Sequence, residues 1–135
     1  MADPRTRIVV AEDDEGILEL VVTRLDLAGY QTFIARDGYR ALEAIYTNTP
    51  HGVVLDIGMP NLDGFGVLRT LRANPKYRAT PVMMLTARKD TDDVRLAMSL
   101  GAKDYLAKPF KDAQLLARVA RLTTVRCAGP QSVHI

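Results

Sequence analysis

The chain has a single cysteine, Cys127, in 135 residues. No internal disulfide can form and no thiolate cage for a metal can be assembled, a pattern that fits a cytoplasmic setting. Long apolar runs are scarce as well: none approaches the ~20 residues that a helix needs to span a bilayer. The opening MADPRTR is short and charged and lacks the apolar centre of a secretory signal. The expectation is a soluble, intracellular protein with no membrane partner. Blocks of one charge are missing too. Eighteen basic residues are scattered among sixteen acidic ones, so direct nucleic-acid binding is not expected.

What remains is an ordinary globular composition, 47% hydrophobic and 25% charged, in a chain long enough for one core. Short apolar runs alternate with amphipathic stretches. RIVVA (7–11), YQTFIA (30–35), GVVLD (52–56), VMMLTA (82–87) and DYLA (104–107) are too short for helices and read as strands. Between them the apolar residues recur at spacings of three and four: Ile17, Leu18, Val21, Val22 and Leu25; Ala41, Leu42 and Ile45; Phe65, Leu68 and Leu71; Val94, Ala97 and Met98. A last helix after KPF carries Leu115, Val119 and Leu122, with Arg118 and Arg121 on its solvent side. Asp37 and Gly38 sit where a helix cap belongs, Asp90 or Thr91 can cap the fourth helix, and Gly29 and Gly101 close the first and fourth.

Five strand-then-helix units predict an α/β fold: a doubly wound five-stranded parallel sheet, order 2-1-3-4-5, with helices on both faces. The domain is expected over 7–124, after a short extension at 1–6. The helical period fails at Gly129 and Pro130, so 125–135 read as a tail or the start of a linker.

In such a sheet, function collects outside the carboxyl ends of the strands. Glu12, Asp13 and Asp14 follow the first strand, Asp56 ends the third, Thr86 and Ala87 end the fourth, and Lys108 and Pro109 follow the fifth. The strand order brings Glu12 and Asp13 beside Asp56. Like charges 4 Å apart repel by about 4 kcal/mol at an effective dielectric near 20, so the group calls for a cation. All-oxygen ligation with room for phosphate oxygens suits Mg²⁺. Lys108 and Thr86 supply a charge and a hydroxyl on the far side of the pocket, which reads as a phosphoryl site with Asp56 as nucleophile. Individually, Asp13 and Asp14 read as helix caps, Thr86 as a strand residue and Lys108 as a surface lysine. Their convergence carries the functional reading.

The acidic pair, DIGMPNLDG at the end of the third strand, LTA and KPF, in this order, resemble the receiver domain of two-component response regulators over about 7–122. The resemblance implies Asp56 as phosphoacceptor, Glu12 and Asp13 as the acidic pair with Asp14 as an alternative to Glu12, and Mg²⁺ as cofactor. It also implies the Gly58 carbonyl as a metal ligand, with Glu12 acting through water. Thr86 becomes the switch hydroxyl, Ala87 the small neighbour that admits phosphate, Tyr105 the switch aromatic and Lys108 the pocket lysine, with a cis bond between Lys108 and Pro109. By the same resemblance, Gly58 and Arg88 occupy the two positions that in this family shape water access to the acyl phosphate.

The implied partners are a histidine kinase or histidine phosphotransfer protein as donor and a downstream protein on the fourth helix, fifth strand and fifth helix, the chain being a monomer or a phosphorylation-dependent homodimer. On that surface Arg95, Lys103, Lys111, Arg118 and Arg121 otherwise read as a soluble face. Met83, Met84 and Met98 are expected in the core, and His51 and His134 in solvent. A Mg²⁺-dependent phosphohydrolase needs a second carboxylate where Gly58 stands. A flavin carrier needs a phosphate-binding loop where EDDEG stands. A receiver without phosphorylation, acting as a fixed interaction module, remains as the alternative. No output domain fits the remaining residues, so the chain reads as a stand-alone regulator or a piece of a longer one.

Overall fold

The structure, a computed structural model, describes residues 5–87 and 91–131, with side chains to 123. Arg88, Asp90 and His134, and the side chain of Cys127, lie outside the described residues. The elements run β1 (Arg7–Ala11), α1 (Glu15–Leu27), β2 (Gln31–Ala35), α2 (Gly38–Asn48), β3 (Gly52–Asp56), α3 (Gly64–Ala73), β4 (Val82–Thr86), α4 (Thr91–Ser99), β5 (Asp104–Ala107) and α5 (Asp112–Gln131). The sheet is parallel throughout, in the order β2-β1-β3-β4-β5. The doubly wound α/β expectation holds.

Strand side chains alternate between two apolar layers, as a pleated sheet covered on both faces requires. Val9, Val53, Leu55, Val82 and Met84 face α2 and α3 and meet Ala41, Ile45, Leu68 and Leu71. Ile8, Val10, Val54, Met83 and Leu85 face α1 and α5 and meet Leu18, Val21, Leu25, Leu115 and Val119. Burying each large side chain is worth about 1.5–3 kcal/mol, so the two layers hold the strand ends in register.

Asp14, Asp37 and Asp63 cap α1, α2 and α3, each accepting the backbone N–H three residues on. Gly29 (φ +98°) and Gly101 (φ +99°) close α1 and α4 with paired hydrogen bonds back into the last turn, a conformation that a Cβ would strain.

Two expectations need correction. Met98 is 45% exposed, because the inward position of α4 is taken by Ala97 at 1%. His51 is half-buried and its Nδ1 accepts the Arg7 N–H at 2.9 Å, which ties the start of β3 to β1. Arg118 and Arg121 keep the solvent side of α5 as expected, and both pair there with Asp104 of β5. In addition, α5 continues to Gln131, through the Gly129 and Pro130 that read as its end.

Candidate functional site

Parallel register puts every strand's carboxyl end at one edge. Leu55 pairs with Ala11, Asp56 with Leu85, and Thr86 with Ala107, so Glu12, Asp56, Thr86 and Lys108 arrive together from four strands. Among the described residues, the buried polar or charged side chains are Glu12 (1% exposed), Asp56 (6%) and Thr86 (2%). Burial of polar groups is costly without compensation, and all three stand in one place.

They border an open cleft of about 370 Å³, together with Asp13, Asp14, Gly58, Ala87 and Lys108. Carboxylate oxygens of Glu12, Asp13 and Asp56 lie within 4.8 Å of one another, with Asp13 exposed at the mouth. Asp14 lies outside this group, since its Oδ1 accepts the Ile17 N–H as the α1 cap. A Cβ on Gly58 would meet nothing within 4 Å, so the backbone there opens directly on the cleft.

Lys108 does not face the carboxylates across the pocket, as the sequence reading placed it; it sits among them. Its Nζ is 2.7 Å from Glu12 Oε1 and 3.3 Å from Asp56 Oδ1. The nearer contact is ionic without hydrogen-bonding alignment, which leaves Glu12 Oε1 a buried acceptor with no directed donor. Glu12 Oε2 accepts the Asp14 N–H at 3.1 Å. Burial pushes the Glu12 carboxyl above its usual range despite the lysine. For Lys108, burial pulls the ammonium down, but Glu12 and the charge of Asp56 outweigh it and hold it above its ordinary value.

This donor set fits a hard divalent cation. It is all oxygen, it carries more negative charge than one lysine offsets, and it keeps a buried acceptor undirected. Thr86 and Ala87 also line the cleft, and the Lys108–Pro109 bond is cis. Tyr105 is 37% exposed and borders a neighbouring surface cleft with Arg118 rather than the acidic pocket itself. A larger cleft of about 560 Å³ between β2 and α2 has its arginines already engaged, Arg36 with Glu15 and Arg40 with Glu43.

Sequence reasoning missed Arg72, whose guanidinium donates to the carbonyls of Arg78, Thr80 and Gly101, and the link between Asn61 and Asp37 at the head of α2. A turn-forming Asn after Pro60 was the available signal for the second; the first had none.

Residues 8–120 match the family described as the response regulator receiver domain. The DNA-binding response regulator MtrA of Mycolicibacterium paratuberculosis is 43% identical over 119 residues, which are 87% of this chain and 52% of MtrA. The chain thus spans about half the length of the curated relatives it matches. A response regulator structure from Chloroflexus aurantiacus superposes with a TM-score of 0.85 at 32% identity, covering 89% of this chain and 98% of that one. The receiver domain of a sensor histidine kinase from Pseudomonas aeruginosa, solved with magnesium coordinated in its active-site cleft, gives 0.82 at 29% identity, covering 88% and 98%. Fold, buried acidic cleft and likeness along nearly the whole length converge: this chain belongs to the response regulator receiver domains, the signalling domains of two-component systems.

Proposed function

We propose that the chain accepts a phosphoryl group on Asp56 from a phosphohistidine of a histidine kinase or phosphotransfer protein. A carboxylate oxygen of Asp56 attacks phosphorus, the P–N bond breaks with its electron pair passing to the imidazole, and an acyl phosphate forms. The observation that carries this reading is a carboxylate 6% exposed at a strand end, within reach of two further carboxylates and a lysine.

Asp13, Asp56 and the Gly58 carbonyl would hold Mg²⁺, with Glu12 acting through water. When bound, the ion supplies positive charge that offsets the charge of the transferring group. Lys108 pairs with a phosphoryl oxygen, the Thr86 hydroxyl donates to another, and Ala87 leaves room for the group. Inward movement of Thr86 then vacates space for Tyr105, whose exposed ring turns in and shifts an existing equilibrium on α4, β5 and α5. A downstream protein reads that surface, and the phosphorylated chain is a monomer or a homodimer. Intermixed charge, with Arg118 and Arg121 occupied by Asp104, favours a protein rather than nucleic acid as the direct partner.

The test is the intact mass after incubation with Mg²⁺ and acetyl phosphate, alongside Asp56→Asn. One phosphoryl group gained with Mg²⁺ and lost in the variant supports the reading. No labelling, and no binding of BeF₃⁻, overturns it in favour of a fixed interaction module.

A further inference from the structure

The loop from Ile57 to Asp63 carries Gly58 past the cleft, and it is anchored from a distance. At its middle, Asn61 has a positive φ of 69°, and the Leu62 N–H donates to the Pro60 carbonyl at 2.7 Å, closing a tight three-residue turn. Turns of this kind are sparsely populated and persist where their surroundings hold them. Here the surroundings are the N-terminus of α2. Asn61 Nδ2 donates to Asp37 Oδ2 at 3.0 Å, while Asp37 Oδ1 accepts the Arg40 N–H at 2.8 Å. The Arg40 N–H and the Asn61 amide hold the Asp37 carboxyl below the usual aspartate range.

The next residue seats the loop by shape. A Cβ on Gly38 would collide with the Leu62 carbonyl oxygen, and one on Gly66 would collide with Leu62 Cδ1. Leu62 therefore lies in a notch between two glycines, one at the head of α2 and one in the first turn of α3. At the loop's end, the Gly64 N–H donates to the Ile57 carbonyl at 2.9 Å, and a Cβ there would collide with the Asp56 carbonyl oxygen. The backbone at Gly58 is thus fixed on both sides.

We propose that Asp37 and Asn61 are positioning residues for the cation: by clamping the loop to the head of α2, they preset the Gly58 carbonyl before any ion arrives. The inference rests on the reading of Gly58 as a cation ligand. Neither residue belongs to the carboxylate cluster, so their effect passes through the loop backbone. Partners that orient metal ligands from outside the first layer change affinity by about 10–100-fold, and a clamp at the surface belongs at the low end.

The experiment titrates Mg²⁺ alone into the full chain by calorimetry. Three single variants are used: Asp37→Ser keeps an α2 cap but is too short for Asn61; Asp37→Asn removes the same charge but keeps both links, its Oδ1 accepting the Arg40 N–H while its Nδ2 donates to the Oδ1 of a flipped Asn61 amide; and Asn61→Gly keeps the positive φ without the side chain. Asp37→Ser and Asn61→Gly are expected to raise the Mg²⁺ Kd roughly ten-fold, with Asp37→Asn near the unaltered chain. The Asp37→Ser, Asn61→Gly double variant is expected to lose no more than either single, as for two ends of one clamp. Melting in EDTA confirms that each variant folds. Lowered melting temperatures with unchanged Kd overturn the positioning role and leave Asp37 and Asn61 as structural residues. Equal weakening by Asp37→Ser and Asp37→Asn overturns it in favour of simple charge loss. Absence of Mg²⁺ binding in the unaltered chain overturns the cation reading itself.

Discussion

Lys108 stands closer to Glu12 than to Asp56, 2.7 Å against 3.3 Å. The lysine is therefore first the counter-charge of a buried glutamate, and on the proposed function a phosphoryl group on Asp56 would have to compete for it. Breaking such a pair from one side leaves a buried charge without compensation. Lys108→Met is expected to lower stability by about 3 kcal/mol in metal-free urea titrations. A loss under about 1 kcal/mol would show the contact to be solvent-screened.

The same pair shapes the alkaline limb of stability. The folded Lys108 holds its proton above the ordinary 10.5, whereas the unfolded lysine releases it there. Between those two values the folded state binds more protons, so stability falls as pH rises through the window. Glu12→Gln removes the nearby negative charge that helps raise Lys108, and its decline should be shallower. Urea midpoints from about pH 9 to about pH 12 measure the difference; parallel declines would refute it.

Clustered carboxylates repel until a cation arrives. Asp13→Asn is expected to raise the melting temperature in EDTA, by about 1 kcal/mol of stability because Asp13 is exposed and screened. It should also abolish the further rise that Mg²⁺ is expected to produce in the unaltered chain by mass action. Thermal scans with and without Mg²⁺ read both effects, and an Asp13→Asn chain still stabilised by Mg²⁺ would place the ion elsewhere.

Gly58 and Gly64 differ in what surrounds them. A methyl on Gly58 enters open space, and Gly58→Ala should melt within about 0.5 kcal/mol of the unaltered chain. On Gly64 it meets the Asp56 carbonyl oxygen, Ile57 Cα at 2.9 Å and Met84 Cε at 3.0 Å. Gly64→Ala is expected to cost about 2–3 kcal/mol. Similar melting of the two variants would contradict this geometry.

Arg72 joins the end of α3 to the following loop and to the α4–β5 turn through hydrogen bonds of 2.7–3.0 Å to Gly101, Thr80 and Arg78. A lysine cannot reproduce that planar fork, so Arg72→Lys should cost about 2 kcal/mol despite keeping the charge. Denaturant unfolding distinguishes this from a charge effect, which would leave the lysine variant unchanged.

Strand positions were readable because burial imposes local patterns: β-branched runs such as RIVVA and GVVLD match their strands end to end. Helix faces were readable for the same reason, except in α4, where Ala97 is buried as expected but Met98 is not. That helix offers few apolar positions, and a one-residue rotation changes which is buried. Asp56, Glu12, Thr86 and Lys108 were found because each terminates or follows a strand, and the strand order converts that position into proximity.

What local pattern cannot express is which partner a side chain chooses once several are in range. Lys108 settling on Glu12, Arg72 collecting carbonyls from three segments, and Asn61 reaching Asp37 join residues 96, 29 and 24 positions apart at the extremes. Each depends on register and loop path rather than on periodicity. The alternation of strands and helices was written in the order of the residues; the pairing of charges at the sheet edge emerged when five strands came side by side and water was excluded from between them.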